Sequence, residues 1–293
     1  MNKAQVVLQR IVRQNIGYLT KYFFSKYNKL MTIPKVIYTY WNDADFKSDR
    51  LLCKCESSLR QHNPGYEIHA ITSENVHEYA PVDSWKEIPV LNEHSEEYLG
   101  LAYFSDILRL HLLRAGGIWV DFSSLWNASV SLIIDGDKRG YFVETKSYRC
   151  DPGYASLESF FMAVVPDHPM IEFCYNTMIG FETQKSCIDY VKTVNQLVCM
   201  DKRKRFPYHT CYAVFRHAQY LGHFDPLLDS VYKGHVTKWP VLKKLFSKIT
   251  PFRKLTSGER ILYYKSDWEI AVSILMIGLC LFLVFIGVAV SKY

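Results

Sequence analysis

Residues 105–121 read SDILRLHLLRAGGIWVD, in which a helix pattern and a strand pattern meet at the pair Gly116-Gly117. Before the glycines, apolar residues recur every three or four positions, a spacing that predicts a helix with one apolar stripe: Leu101, Phe104, Leu108 and Leu112. The glycines predict the end of that helix, and the run 118–122, apolar apart from Asp121, then predicts a buried strand. Asp121 closes this strand at its carboxyl end, where ligands bind in open α/β sheets. Asp121 is therefore the first candidate site residue.

The sequence on the amino-terminal side of this stretch alternates strand and helix patterns. Val36–Trp41 is a β-branched and aromatic run that predicts a buried strand. A helix is predicted over 51–61 and a second strand over 66–71, separated by the turn residues 63–65. Farther along the chain, strands are predicted over 141–144 and 160–165 and helices over 169–183 and 186–200. This order predicts an α/β fold of βαβ units with a mainly parallel sheet.

The net charge of +6 on the 293-residue chain is distributed unevenly. Residues 1–30 contain six basic residues and no acidic residue, and residues 238–265 contain eight basic residues and one acidic residue. The body between them, 31–237, is acidic, with 20 basic and 26 acidic residues. A nucleic-acid-binding protein carries its positive charge on the folded body, so nucleic acid is excluded as a partner. Basic flanks around an acidic body favour a membrane surface instead.

A long apolar segment lies near the carboxyl end of the sequence. Residues 270–290 carry no charged side chain, and at 1.5 Å per residue they are long enough to cross a hydrocarbon core of about 30 Å. We therefore predict a tail-anchored protein with one transmembrane helix; a buried core helix is the weaker alternative. Because the basic stretch precedes the span and only Lys292 follows it, the positive-inside rule predicts a cytoplasmic body.

Residues 1–30 form a separate basic segment with apolar residues between the charges. This pattern predicts an amphipathic helix, and two placements remain open. The helix lies on an anionic membrane surface, or it packs on the folded body as a basic leader helix. The predicted organisation is thus a basic segment over 1–30, a folded domain over 31–266 and a transmembrane helix over 270–290.

Four polar or aromatic side chains suggest a pocket for a charged ligand rich in hydroxyl groups. Asp121 is suited to a hard divalent cation, and Arg109 to a phosphate. Asp106 lies three residues before Arg109 on the same helical face and is suited to accept hydrogen bonds from sugar hydroxyls. Trp41, at the end of the first strand, is suited to stack on a flat base. Each also has an ordinary alternative: a surface pair for Asp106 and Arg109, a strand-end cap for Asp121, and core packing for Trp41.

Three blocks in this order resemble a known superfamily: 33–41 (IPKVIYTYW), 105–110 (SDILRL) and 116–121 (GGIWVD). Together they are similar to the DXD sugar-binding motif superfamily that contains the capsular polysaccharide synthesis proteins. Glycosyltransferase family 32 and the glucosylating clostridial toxins look like relatives. Two weaker blocks, 158–169 (ESFFMAVVPDHP) and 252–256 (FRKLT), extend the resemblance over roughly residues 33–256.

The resemblance implies a GT-A type, Rossmann-like domain that binds a nucleotide-diphospho-sugar and transfers the sugar with retention. Asp106, Arg109 and Asp121 would be the catalytic residues. Trp41 would stack on the donor base, Asp106 and Arg109 would hold the donor sugar and diphosphate, and Lys254 would reach the diphosphate. Asp121 would bind Mn²⁺ or Mg²⁺.

One departure from the family pattern concerns the metal. Many relatives carry Asp-x-Asp, whereas this chain has Asp121-Phe122-Ser123. Ser123 would then contribute to the metal site directly or through water. The loss of one carboxylate predicts weaker metal affinity and leaves metal dependence open.

Two hypotheses about function follow. The first is a membrane-anchored glycosyltransferase with a nucleotide-sugar donor and a glycan, glycoprotein or glycolipid acceptor. The second, motivated by the missing carboxylate, is a catalytically inactive relative that acts as a membrane scaffold in a glycan-synthesis complex. No general base is nominated, because the leaving phosphate of a retaining transfer can accept the proton. Glu144 and Lys146 are candidate acceptor-side groups, with packing roles as the alternative.

Overall fold

The computed structural model describes residues 32–85, 88, 91, 97–134, 136–144, 155, 157–198, 210–232 and 252–254. The predicted basic segment 1–30 and the predicted transmembrane segment 270–290 lie outside these residues. Among the described residues, no helix combines the length and the apolar character needed to cross a membrane.

The described residues form helices and strands in the order that an α/β fold requires. The strands are β1 (Val36–Trp41), β2 (Glu67–Thr72), β3 (Gly117–Val120), β4 (Ser124–Trp126), β5 (Gly140–Glu144), β6 (Leu157–Val164), β7 (Asp229–Tyr232) and β8 (Phe252–Lys254). The α-helices are α1 (Arg50–His62), α2 (Val82–Trp85), α3 (Glu97–Arg114), α4 (Pro169–Ile179), α5 (Gln184–Val198) and α6 (Thr210–Tyr220). Short 3₁₀ turns occupy Phe46–Ser48, Val76–Glu78 and Val130–Leu132.

Six of the strands form one mixed sheet in the order β2-β1-β3-β6-β5-β7. The pairs β1–β2, β1–β3 and β5–β7 are parallel, whereas β6 pairs antiparallel with both β3 and β5. All the strands of this sheet except β6 therefore run in the same direction. The prediction of an α/β fold with a mainly parallel sheet is confirmed. Strands β4 and β8 form a separate antiparallel pair that the sequence did not predict.

Side chains from β3 alternate between two hydrophobic clusters, one on each face of the sheet. Trp119 belongs to the larger cluster, with side chains of α3, α4 and α6. Ile118 and Val120 belong to the smaller cluster, with Leu59 of α1 and Trp126 of β4. The order of strands and helices thus produces a sheet that is covered on both faces.

Helix α3 is more deeply buried than one apolar stripe predicts. Ile107, Leu108, Leu110 and Leu113 are all fully buried although they do not share one narrow stripe. Asp106 and Arg109 are also buried, at 6% and 5% exposure. The alternative that these two residues form a surface ion pair is therefore wrong.

The glycine pair between α3 and β3 is required by both backbone conformation and close packing. Gly116 and Gly117 have φ angles of +78° and +120°, which side chains with a Cβ rarely adopt. A Cβ on Gly116 would lie 2.7 Å from the nitrogen of Pro166, and a Cβ on Gly117 would lie 3.1 Å from the ring of Tyr38. The chain can therefore turn directly from the buried helix into the central strand.

We expect Gly116→Ala to lower the free energy of unfolding by about 2 kcal/mol or more, because positive φ and the contact with Pro166 both oppose a Cβ. Gly65→Ala is the matched control, since no atom lies within 4 Å of a Cβ at that position. Urea unfolding of the full-length chain in detergent measures both variants. Equal stability of the two variants would contradict this account of the turn.

A buried ion network joins β5, β7 and the start of α4. The Arg139 guanidinium donates to Asp229, with Nε 2.8 Å from Oδ1 and a terminal nitrogen 2.9 Å from Oδ2. His168 Nε2 lies 3.0 Å from the same Oδ1, and its Nδ1 accepts the backbone N–H of Met170. Because Nδ1 is an acceptor, the ring proton is on Nε2 and is donated to Asp229.

Electrostatics keeps this network in one charge state. Burial lowers the pKa of His168 despite the opposing contribution of Asp229, so the imidazole is neutral. Burial alone would raise the pKa of Asp229, but the hydrogen bonds from Arg139 and His168 outweigh burial and lower it. Asp229 is therefore an ionised, fully paired carboxylate that fixes the outer strand to the sheet.

We expect Asp229→Asn to lower the free energy of unfolding by about 3–5 kcal/mol, because Arg139 would remain buried without its counter-ion. Asp189→Asn is the control: its ion pair with Lys192 spans 3.6 Å between exposed side chains and contributes at most about 1 kcal/mol. Thermal and urea unfolding of both variants provide the measurement. A loss below 1 kcal/mol for Asp229→Asn would mean that the network does not support the fold.

Candidate active site

Two of the predicted site residues lie at the carboxyl ends of neighbouring strands. Trp41 ends β1, and Asp121 directly follows β3, which pairs with β1 in parallel. The chain leaves β1 through α1 toward β2 and returns through α3 to β3, on the other side of β1. Connections that diverge in this way leave a crevice at the carboxyl ends of the two strands, where open α/β sheets bind ligands.

The guanidinium of Arg109 is the centre of the polar contacts at this crevice. Its Nε donates to the backbone oxygen of Ser105 at 3.1 Å, and one terminal nitrogen donates to Ser105 Oγ at 3.0 Å. The other terminal nitrogen donates to the backbone oxygen of Ser159 in β6 at 2.8 Å. Two carboxylate oxygens, Oδ1 of Asp106 and Oδ1 of Asp121, lie 3.3 Å and 3.6 Å from the guanidinium nitrogens. All three nitrogens thus have protein partners.

The charges around Arg109 keep its guanidinium ionised. Burial alone would lower the pKa of Arg109, but the carboxylates of Asp106 and Asp121 outweigh burial and raise it. One cation faces two carboxylates, so the three side chains together carry a net negative charge when all are ionised. Such a cluster is suited to bind hydroxyl groups and cations.

Trp119 fixes the orientation of Asp121. Its indole Nε1–H donates to Asp121 Oδ1 at 3.0 Å, and its ring lies 5.0 Å from the guanidinium carbon of Arg109. Trp119 is fully buried, so neither contact is exchanged with water. Asp121 is therefore held by an indole and a guanidinium, and the alternative that it merely caps the strand does not account for these contacts.

Trp41 lies at the edge of the crevice and is half-buried. Its ring packs against Phe122 at 6.3 Å between centroids, beside a small cluster of Phe46, Leu52 and Phe122. Trp41 therefore combines packing with partial exposure, and its predicted stacking on a base stays a prediction.

The other two predicted residues lie close to Asp121 along the backbone. Ser123 is buried in the turn between β3 and β4, two residues after Asp121. Lys254 of β8 pairs in register with Ser124, the first residue of β4. The fold thus places the backbone of Lys254 next to the turn that contains the candidate metal ligands. The predicted roles of Ser123 and Lys254 stay predictions.

Asp121 and Ser123 can supply only some of the oxygen ligands that a bound metal ion needs. Among the described residues there is no cluster of three or more His, Cys, Asp or Glu that could hold a metal ion. The Asp121 carboxylate and Ser123 hydroxyl are hard ligands of the type that Mn²⁺ and Mg²⁺ accept, and Mg²⁺ commonly takes its remaining ligands from water and substrate phosphates. Asp121 and Ser123 therefore fit a metal that binds together with a phosphate-bearing substrate.

Three residues of the site were not predicted as site residues: Ser105, Trp119 and Ser159. Strand alternation could have found Trp119, because residues two apart in a strand share a face and Trp119 is two before Asp121. Helix spacing could have found Ser105, four residues before Arg109. No local pattern indicates Ser159, which comes from a strand 50 residues farther along the chain than Arg109.

These features define an α/β protein with an acidic, arginine-centred site at the carboxyl ends of its central strands. A family model described as capsular polysaccharide synthesis protein matches residues 1–256, and the chain belongs to this family. The predicted family is confirmed, and family membership supports the predicted enzyme class, a glycosyltransferase.

The similarities of the chain to other known proteins are weaker. No curated protein matches the chain. A solved structure titled "PaToxG Glycosyltransferase" is 17% identical in sequence, with a TM-score of 0.39. The match covers 72% of this chain and 79% of the chain in that structure. The apo structure of mouse xyloside xylosyltransferase 1 is 9% identical in sequence, with a TM-score of 0.41. The match covers 76% of this chain and 98% of the chain in that structure.

We expect Arg109→Met to lower the free energy of unfolding by about 3–5 kcal/mol, because the buried carboxylate of Asp106 and the partly buried carboxylate of Asp121 would lose their shared cation. Arg114→Met is the matched control on the same helix. It removes a partly exposed ion pair with Glu172, which contributes at most about 1 kcal/mol. Urea unfolding of both full-length variants measures the difference, and equal losses would contradict the organising role of Arg109.

Proposed function

We propose that the protein is a membrane-anchored glycosyltransferase of GT-A type. It transfers a sugar, with retention, from a nucleotide-diphospho-sugar donor to a glycan, glycoprotein or glycolipid acceptor. The observation that carries the proposal is the Asp106–Arg109–Asp121 cluster in the crevice at the carboxyl ends of β1 and β3, where Asp106 and Arg109 are buried and Asp121 is partly exposed. Membership in the capsular polysaccharide synthesis family supports the same enzyme class.

The reaction breaks the bond between C1 of the donor sugar and the diphosphate oxygen, and it forms a bond between C1 and an acceptor oxygen. The nucleoside diphosphate leaves, and the attacking hydroxyl of the acceptor passes its proton to a phosphate oxygen of this leaving diphosphate. In this scheme Asp106 accepts hydrogen bonds from hydroxyls of the donor sugar, and Trp41 stacks on the base. Arg109 keeps Asp106 and Asp121 in place and contributes positive charge near the diphosphate, as does Lys254.

A divalent cation, Mn²⁺ or Mg²⁺, would be held by Asp121 and Ser123. When bound, it supplies charge neutralisation for the departing diphosphate. Because these residues fit a metal that arrives with its substrate, metal affinity in the absence of donor is expected to be weak.

Charge distribution supports a location at a membrane. The uncharged segment 270–290 is long enough to span a bilayer, and the basic residues concentrate before it and in 1–30. In this proposal the body is cytoplasmic, and the basic stretches contact anionic lipid. A cytoplasmic body has access to nucleotide-sugars, and a membrane anchor brings it close to lipid-linked acceptors.

A second candidate function is a catalytically inactive scaffold of a glycan-synthesis complex. The observation that favours it is the position of Ser123, where many relatives carry a second carboxylate. In a scaffold the acidic cluster would serve stability alone, so the two functions differ in whether a nucleotide-sugar is turned over.

We expect Asp121→Asn to reduce the release of nucleoside diphosphate at least about 100-fold, because the site loses the carboxylate that would hold the divalent cation at the departing diphosphate. Asp137→Asn is the matched control. Asp137 is exposed and lies just before β5, at the edge of the sheet opposite the carboxyl ends of the parallel strands. The assay uses the full-length protein in detergent with UDP- and GDP-sugars, each with Mn²⁺, Mg²⁺ or a chelator.

The outcomes separate the two functions. Turnover by the wild type and by Asp137→Asn, but not by Asp121→Asn, supports the glycosyltransferase. A folded wild-type protein that releases no diphosphate from any of these donors favours the scaffold. Turnover that persists at the wild-type rate in Asp121→Asn removes this residue from the mechanism.

A further inference from the structure

Strand β6 carries a third carboxylate next to this crevice, on the side away from β1. Because β6 is antiparallel to β3, its first residues extend past the point where β3 ends. The backbone N–H of Asp121 donates to the oxygen of Phe160 at 2.9 Å, and Arg109 donates to the oxygen of Ser159 at 2.8 Å. The next residue outward along this strand is Glu158.

Glu158 is buried and held by a defined contact. Only 8% of its surface is exposed, and its Oε2 accepts a hydrogen bond from the hydroxyl of Tyr212 at 2.9 Å. Tyr212 lies on α6, which packs on the same face of the sheet as α3. Acidic side chains are seldom buried to this degree in proteins, because desolvation penalises the charged form. A buried carboxylate beside the Arg109 cluster therefore points to a functional role.

The pairing of β5 with β6 is interrupted next to Glu158. Phe142 pairs with Met162, but the following residue, Val143, pairs with Glu158 and not with Phe161 as an unbroken register would require. Such bulges occur next to active sites, where they redirect side chains. Ser159, whose backbone oxygen accepts from Arg109, lies in the segment of β6 that has no partner on β5, and Glu158 pairs with Val143.

The strand order then separates two sides of the crevice. Strand β3, followed by Asp121, lies between β1, which ends in Trp41, and β6, which carries Glu158. Neighbouring strands are about 4.8 Å apart, so Trp41 and Glu158 flank Asp121 on opposite sides. If the donor base stacks on Trp41 and the diphosphate lies at Asp121, the β6 side is the side from which an acceptor approaches.

We propose that Glu158, oriented by Tyr212, binds a sugar acceptor on the β6 side of the crevice. This inference rests on the proposed function and adds the class of acceptor. The carboxylate accepts a hydrogen bond from an acceptor hydroxyl next to the attacking one, since vicinal hydroxyls are what distinguish a sugar from a serine or tyrosine side chain. Glu158 thus holds the acceptor and takes no part in bond breaking, and Tyr212 is a positioning residue.

The test compares two reactions of the same donor in the full-length protein. Transfer to p-nitrophenyl glycosides of glucose, galactose and mannose requires acceptor binding, whereas hydrolysis of the donor by water does not. Glu158→Gln keeps the size of the side chain and an acceptor oxygen for Tyr212 but removes the charge. Tyr212→Phe keeps the ring and removes the hydrogen bond. Glu172→Gln, in the partly exposed pair with Arg114, is the matched control.

We expect Glu158→Gln to lower kcat/KM for the glycoside acceptor about tenfold or more, mainly through KM, because a charge-assisted hydrogen bond is lost. Hydrolysis of the donor and its KM stay within about twofold of the wild type. Tyr212→Phe raises the KM for the acceptor with little change in kcat, and Glu172→Gln changes neither reaction.

Other outcomes overturn the inference. If hydrolysis falls in parallel with transfer in Glu158→Gln, the residue acts on the donor; if neither changes, it has no role in binding. A wild-type protein that hydrolyses donor but transfers to none of the three glycosides contradicts a sugar acceptor while leaving the proposed enzyme class intact. A wild-type protein without any donor turnover contradicts the proposed function itself.

Discussion

The buried guanidinium of Arg109 is the interaction on which the site depends. It joins helix α3, the end of β3 and the antiparallel strand β6 through contacts with Ser105, Asp121 and Ser159. A buried cation requires compensating charge, and the two carboxylates that provide it are the residues best suited to bind a substrate. Stability and binding therefore rest on the same side chains. The role of Arg109 in holding a donor diphosphate stays a prediction, whereas its contacts show that it organises the protein's own carboxylates.

Backbone geometry places this cluster at the crevice. The two glycines allow α3 to end directly against the sheet, so Arg109 and Asp106, about two and three turns before the glycines, reach the carboxyl end of β3. Alternation along β3 then puts Trp119 and Asp121 on the face that α3 covers. Strand β6, by running opposite to its neighbours, extends over the same edge and supplies both Ser159 and Glu158. A parallel strand in that position would have left these residues at the other edge of the sheet.

Local patterns in the sequence were sufficient to predict many of the helices and strands of the fold. The β-branched run of β1, the helix before Gly116 and the strand that ends at Asp121 all follow from periodicity and turn residues. Local patterns did not predict three other features: the direction of β6, the β4–β8 pair, and the contact between Arg109 and Ser159. These features depend on contacts between distant parts of the chain. The burial of Asp106 and Arg109 was also missed, since a charged pair three residues apart in a helix usually lies at the surface. Helix α6, which carries Tyr212, was not predicted.

The most direct measurement is an experimental structure of the full-length protein bound to a nucleotide-sugar in the presence of Mn²⁺. This account predicts that the base stacks on Trp41, that hydroxyls of the donor sugar lie within hydrogen-bonding distance of Asp106, and that the diphosphate lies at the turn of Asp121 and Ser123. Glu158 should face the side of C1 that remains open. A donor bound at another edge of the sheet, or one that leaves Asp106 and Asp121 without contact, would contradict the account.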